Sequence, residues 1–449
     1  MVGSQDSGPT WSRRSFLVAA AAGAVGAAGA GALSRQVLNR DATTDSRPNV
    51  LYITADDLGT RLGAYGHEAI LTPRIDALAL DGVLFERCYC QIALCGPSRA
   101  SILTGLRPST TGVLTLNDNW RQASPDAVTL GRHFRNSGYD TFAIGKINDE
   151  RNGPLDDAWI AQPEKWGVYD TAGARSFMSE VARSAENPWF LAIGFANPHC
   201  PWEPSQAASS HYASTPVTSE VGPGRLVRSG YIERCAPDLR ANLPTDEIIE
   251  LTDDEAVTLT RDYLAAITDL DTMVGEIIDH ADRLGMRENT IVIFWSGDHG
   301  YSLGDNGSWG KWNNHDASTR IPLIMQLPDG SVANARAPGI VEAVDMYPTL
   351  VDLCGLGAPP QQLDGISFAP LLREPEQEWK RAAFSQYADR YSVKTARHNL
   401  IEDRRTGTVR LYDLEADPRE TTNIAESAPA LVSELSQILQ AGPDAALPA

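Results

Sequence analysis

Four short apolar stretches each run into a polar cluster, and this recurrence constrains the fold more than any other feature of the chain. Asn49-Val50-Leu51-Tyr52-Ile53-Thr54 stops at Asp56-Asp57, and Tyr139 to Ile144 stops at Lys146. Trp189 to Ile193 precedes His199, and Ile291 to Trp295 precedes Asp298-His299. Runs this short, β-branched and continuously apolar read as strands buried on both faces. The intervals carry helix patterns. Thr72-Pro73 supplies a cap and first turn for a helix running to Gly82, and Val128 to Asn136 is helical up to a stop at Gly138. Residues 254–284 repeat Tyr263, Leu264, Ile267, Leu270, Val274, Ile277 and Ile278 at helical spacing. Pro322 to Met325 reads as a further strand. Strands alternating with helices predict an α/β fold with a mostly parallel sheet flanked by helices. The carboxyl ends of parallel strands share one edge, where open α/β folds place their sites. One aspartate pair after a strand is ordinary turn chemistry. Four unusual polar clusters on one edge describe a site.

A chain of 449 residues accommodates a large α/β domain and a lesser one. The alternation occupies residues 48–370, read as the catalytic domain. Beyond it, Ser392-Val393-Lys394 and Arg410-Leu411-Tyr412-Asp413 read as short antiparallel strands, and a helix closes the chain near 427–440. Residues 371–449 are therefore expected to form a smaller C-terminal α+β subdomain.

Residues 1–32 stand outside the fold. Arg13-Arg14 and Phe16-Leu17 precede a run of mostly Ala, Gly and Val from Val18 to Ala32, which reads as a twin-arginine export signal cleaved near Ala30 or Ala32. A polar linker over 33–47 follows. The run is too short and glycine-rich for a membrane span, and no later segment would anchor the mature chain. The expected location is periplasmic or extracellular, and the expected partner is the twin-arginine export machinery. A net charge of −20 argues against nucleic acid and against a broad basic surface for a long polyanion. A local basic pocket for a small anion stays compatible with it. Of six cysteines, five remain if Cys95 is chemically committed, so at least one has no intrachain partner. Cys88 and Cys90 share one strand face, an awkward geometry for a mutual bridge. Two readings stay open for the rest: a Cys200–Cys235 bridge, or buried free thiols.

Asp56, Asp57, Asp298 and His299 together suit a divalent cation. Carboxylates favour calcium or magnesium and the histidine favours zinc or manganese, so ligand type leaves the ion open. The most specific segment is Cys95-Gly96-Pro97-Ser98-Arg99-Ala100-Ser101-Ile102-Leu103-Thr104-Gly105. It resembles the signature of the sulfatase family, C-x-P-S-R followed by T-G. Leu106 to Thr111, Asn119-Trp120-Arg121, Asp298-His299-Gly300, Lys311, Leu363 to Phe368, and Leu411 to Leu414 with Asp417-Pro418 extend the resemblance over about 48–425, in the manner of the iduronate 2-sulfatase branch.

The resemblance implies an alkaline-phosphatase-like fold and oxidation of Cys95 to formylglycine by a formylglycine-generating enzyme. It also implies a calcium ion on Asp56, Asp57, Asp298, His299 and the modified Cys95. Arg99, Lys146, His199 and Lys311 match residues that hold the sulfate, stabilise charge or protonate the leaving oxygen. The implied reaction is hydrolysis of a sulfate ester, with a small sulfated carbohydrate as substrate. One hydroxyl of the aldehyde hydrate attacks sulfur, cations bear the sulfuryl charge, and loss of a proton from the second hydroxyl expels sulfate.

The chain departs from the family pattern in two places. A histidine usually follows the lysine matching Lys146 by two or three residues, and here those positions are Asn148 and Asp149. Asp149 is then the base available for the elimination, a weak one at an unperturbed pKa of about 3.9. The branch also tends to have H-K-P-H where this chain has His199-Cys200-Pro201-Trp202, so Trp202 is expected to meet substrate and to favour a less charged or more stacking-prone one. Two alternatives share the motifs: a formylglycine-dependent phosphate or phosphonate ester hydrolase, and a non-catalytic metal-binding relative.

Overall fold

The computed structural model describes residues 45–448 except 156, 162–166, 169, 219, 229–233 and 236–246. The export signal and most of the linker expected before residue 47 lie outside the described residues. The central strands are β1 (Asn49–Ala55), β2 (Val83–Tyr89), β3 (Asp140–Gly145), β4 (Ile160–Ala161), β5 (Trp189–Gly194), β6 (Thr290–Ser296), β7 (Arg320–Ile321), β8 (Leu323–Gln326) and β9 (Ala335–Glu342). They make one nine-stranded sheet in the order β7-β2-β8-β6-β1-β5-β3-β4, with β9 beside β2. Strands β6, β1, β5, β3 and β4 are mutually parallel. The expected strand at 322–325 is β8, which runs antiparallel to both neighbours.

Alternate side chains of the parallel strands feed two separate cores. Leu51 and Ile53 of β1 face one together with Leu191, Ile193, Val292 and Phe294. Val50 and Tyr52 face the other with Phe190, Ala192, Ile291 and Ile293. Both faces are covered, which is why these strands read as unbroken apolar runs. The main helices are α1 (Pro73–Leu80), α2 (Cys95–Thr104), α3 (Leu130–Asn136), α4 (Thr171–Ser184), α5 (Gln206–Ser214), α6 (Asp253–Arg283), α7 (Met346–Leu353) and α8 (Pro429–Ala441). The first core takes α1, α4, α5 and α6, and the second takes α3, α7 and the far end of α2. Helix α6 begins with a capping box between Thr252 and Glu255, and Asp253, Asp254 and Glu255 complement the positive end of its dipole.

The C-terminal part holds a four-stranded antiparallel sheet, β10 (Ala383–Tyr387), β11 (Arg390–Lys394), β12 (His398–Asp403) and β13 (Thr408–Asp413), in sequential order. Val393, Leu400 and Leu411 of this sheet pack with Leu435 and Leu439 of α8. Polar contacts tie it to the large layer. Buried Lys380 pairs with Glu342 at 2.9 Å and Asp345 at 2.7 Å, and the Phe384 N–H of β10 donates to Glu342 Oε1 at 3.0 Å. Lys394 Nζ donates to the Asn314 carbonyl at 2.7 Å, three residues from Lys311. None of the six cysteines is bridged; five are buried, and the partly exposed Cys200 has Cys235 as its neighbour. No helix among the described residues is long and apolar enough to cross a membrane.

Candidate active site

Strands β6, β1, β5 and β3 are consecutive in the sheet, so the polar residues that follow them meet at one edge. Asp56 and Asp57 follow β1, Lys146 follows β3, His199 follows β5, and Asp298 and His299 follow β6. Asp57 adopts a left-handed φ of 60°, which aspartate tolerates better than most residues. Its carbonyl accepts from Tyr263 Oη of α6 at 2.9 Å, and its N–H donates to Asp298 Oδ1 at 3.2 Å. Gly194 lets the neighbouring strand end approach, since a Cβ there would fall 2.3 Å from the Lys146 carbonyl oxygen.

Cys95 enters this edge from the first turn of α2, with Leu94 as N-cap. The positive end of the helix dipole therefore lies beside it. Its Sγ is 3.1 Å from Lys311 Nζ, 3.4 Å from His299 Nε2 and 3.9 Å from Asp57 Oδ1. One turn later on α2, Ser98 Oγ donates to the Asp298 carbonyl at 2.7 Å. Arg99 reaches Asp56 Oδ1 at 2.9 Å and donates to the Lys146 carbonyl at 2.7 Å. Lys146 Nζ donates to Asp56 Oδ2 at 2.6 Å, and Lys311 Nζ to Asp57 Oδ1 at 2.6 Å. Seven charged residues here (Asp56, Asp57, Arg99, Lys146, Asp298, His299 and Lys311) are buried. His199 is the partly open member, with 31% of its side chain exposed and Nε2 3.9 Å from Asp57 Oδ2.

Burial disfavours every one of these charges, and the partners decide the outcome. Burial pushes Asp56 up, but Lys146 and then Arg99 hold it well below the carboxylate range. Burial also works against Asp57, and Lys311, His199 and His299 bring it down to about 2. Asp298 moves the other way: burial and the like charge of Asp56 raise it. Burial raises the Cys95 thiol, and Lys311 with Lys146 outweighs that and lowers it. His199, disfavoured by burial, is lifted to about 10 chiefly by Asp57.

The residues present fit a divalent cation. Ligand atoms of Asp57, Cys95, Asp298 and His299 lie within 4.8 Å of one another, and Asp56, Asp57 and His199 form an overlapping group. Asp298 Oδ2 is buried without a hydrogen-bond partner. His299 Nδ1 lies 3.0 Å from the Gly300 carbonyl, an arrangement that turns Nε2 towards the carboxylates as a ligand nitrogen should be.

The structure thus brings Asp56, Asp57, Cys95, Arg99, Lys146, His199, Asp298, His299 and Lys311 together. Asp149 is placed differently. Both its oxygens are taken by Arg151, from Nε at 2.8 Å and Nη2 at 2.6 Å. Burial raises its carboxyl, but the Arg151 hydrogen bond, then Lys146, lower it overall. A carboxylate engaged this way is a poorer base than a free one, which argues against Asp149 as proton acceptor. Trp202 is also corrected. It is buried against Tyr263 and Tyr301, with Nε1 donating to the Pro198 carbonyl at 2.8 Å, so it serves the core and not the substrate. Sequence reasoning missed Ser98 as a brace, Tyr263 as a link from α6 and Arg151 altogether. Ser98 had a signal as part of the Cys95 to Gly105 segment and Tyr263 as a core position of α6, whereas Arg151 had none.

A family model described as Sulfatase matches residues 48–356, and one described as N-sulphoglucosamine sulphohydrolase, C-terminal, matches 304–441. The chain is 28% identical over 393 residues to iduronate 2-sulfatase of Mus musculus, covering 70% of each chain. It is 30% identical over 443 residues to choline-sulfatase of Rhizobium meliloti, covering 86% of this chain and 83% of that one. A protein solved with its substrate D-glucosamine-2-N,6-O-disulfate superposes with a TM-score of 0.74 at 22% identity, over 89% of this chain and 98% of that one.

Proposed function

The chain belongs to the sulfatase family and is a sulfuric ester hydrolase, and from that premise we propose that it cleaves the sulfate ester of a sulfated sugar with Cys95 oxidised to formylglycine and calcium as its metal. The observation that carries this reading is the setting of Cys95: at a helix N-terminus, between Lys311 and His299, above a crowd of carboxylates.

Asp56, Asp57, Asp298 and His299, with the modified Cys95, would hold the ion. Bound there, calcium would supply positive charge and lower the pKa of an adjacent hydroxyl. Formylglycine would supply a hydrated aldehyde whose two hydroxyls separate attack from release of sulfate. The chain's own residues do the rest. Lys146 and Lys311 present ammonium groups to the charge that develops on the sulfuryl oxygens, in a buried site where such charges act strongly. Arg99 braces Asp56 and the chain at Lys146. His199, open on one side and 3.9 Å from Asp57, is placed to donate from its protonated form to the leaving alcohol oxygen. Residues 1–32 are read as a twin-arginine signal that takes the enzyme to the periplasm or the exterior.

Protein produced together with a formylglycine-generating enzyme should release alcohol from an aryl sulfate much faster than from the matching aryl phosphate. Its Cys95 peptide should carry the aldehyde, and Cys95→Ala should abolish turnover. Preference for the phosphate would favour the phosphate or phosphonate hydrolase reading. An active enzyme with only thiol on that peptide would exclude the formylglycine mechanism.

A further inference from the structure

The turn after Lys146 carries a cation that the sulfuryl chemistry does not use. Arg151 lies in the short 3-10 helix Glu150–Asn152, whose last residue packs on Gly96, next to Cys95. Asp149, with only 4% of its side chain exposed, accepts from the Arg151 backbone N–H at 3.2 Å as well as from Nε and Nη2. This fixes the guanidinium plane. Nη1 has no protein partner among the described residues, and the Arg151 side chain is 45% exposed.

The turn is itself held. Asn148 Nδ2 donates to the Gly153 carbonyl at 2.8 Å, and Asn152 Nδ2 donates to the carbonyls of Thr115, at 2.8 Å, and Asp118. Asn152 also packs on Gly96, the residue after Cys95, so closely that a Cβ there would fall 1.5 Å from its Oδ1. Arg151 is therefore an exposed, immobilised donor standing beside the helix end that carries the nucleophile. Arginine is a strong donor to sulfate and carboxylate oxygens, and with Nε and Nη2 held by Asp149 the Nη1 end of a guanidinium already fixed loses little entropy on binding. Asp149 neutralises the local charge, so the contribution is directional hydrogen bonding and not long-range attraction. In a chain of net charge −20, a second anionic group on a substrate needs such a local donor.

We propose that Arg151, positioned by Asp149, binds a second oxyanion on the substrate, a sulfate or carboxylate elsewhere on the sugar, and so selects doubly anionic sulfated sugars over singly charged sulfate esters. The inference rests on the sulfatase reading above and deepens it.

The test compares wild type, Arg151→Gln and Arg151→Lys on four probes: a sugar monosulfate, a sugar disulfate, a sulfated uronic acid and choline sulfate. In Arg151→Gln the ratio of kcat/KM for disulfate over monosulfate should fall about tenfold or more, mainly through KM, the loss of one good charged contact. Arg151→Lys should fall between. Loss on the disulfate alone or on the uronic acid alone identifies which oxyanion is read, and either supports the proposal. An unchanged ratio in Arg151→Gln, or a wild type that prefers the monosulfate or choline sulfate, overturns it. Should Arg151→Gln fail to fold, Asp149→Asn is read on the same ratio, which must fall in the same direction. A wild type inert on every sulfate ester would instead refute the sulfatase reading.

Discussion

Replacing Gly96 by alanine sets two well-defined effects against each other. Gly96 lies in α2, where alanine is the better helix former by about 1 kcal/mol. On an unobstructed helix the change should therefore stabilise. The new Cβ, however, falls 1.5 Å from Asn152 Oδ1 and 2.6 Å from its Cγ, against 3.4 Å for ordinary contact. Asn152 cannot give way cheaply, because its Nδ2 holds the carbonyls of Thr115 and Asp118. Breaking two such bonds costs about 1 kcal/mol each. Overpacking adds roughly 1–3 kcal/mol. The helix gain offsets about 1 kcal/mol of this, leaving a net destabilisation of roughly 2–4 kcal/mol. Unfolding entropy for a fold of this size is on the order of 0.85 kcal/mol per degree, so Tm should drop by about 2–5 °C.

The decisive assay is a double-mutant cycle by thermal unfolding at one scan rate. Asn152→Ala loses its two bonds and destabilises by about 2 kcal/mol. It also removes the obstacle, so adding Gly96→Ala to it should be neutral or stabilising. That reversal of sign is the signature of contact between the two residues. A Gly96→Ala protein as stable as wild type, or one equally destabilised in both backgrounds, would refute the steric argument.

Lys380→Met should cost roughly 3–5 kcal/mol, read by denaturant unfolding, because it leaves Asp345 buried and unpaired beside Glu342. Chelation should abolish turnover and calcium should restore it, and full activity in a metal-free preparation would exclude the metal assignment. With a chromogenic aryl sulfate, alcohol release should show a burst near one equivalent of enzyme, because the residue at the family histidine's place is an ion-paired aspartate. A linear progress curve at high enzyme concentration would count against a slow second step. Replacing Arg13 and Arg14 by lysine should trap the protein inside the cell, measured by fractionation, whereas unchanged export would point to another route.

The sheet edge is legible in the amino-acid sequence because burial on both faces imposes unbroken apolar runs, and polar residues directly beyond such runs must lie at the strand ends. That logic places Asp56, Asp57, Lys146, His199, Asp298 and His299, and the signature around Cys95 adds Arg99 and, with the spaced motifs, Lys311. What it cannot supply is anything that depends on which distant segments meet. Trp202 reads as a rim residue because it follows His199, yet Tyr263 and Tyr301, 61 and 99 positions later, close over it. Strand β8 looks like its parallel neighbours in composition, and its reversed direction is set by the chain path and its pairing with β6 and β2. Asp149 looks like a displaced base, but Arg151 occupies both its oxygens. The sequence by itself determined the residue types and the edge they occupy, through local periodicity and strand ends. Tertiary structure alone decided which charges are paired and which donor remains free, because ion pairs and burial are properties of distances between segments that no local pattern encodes.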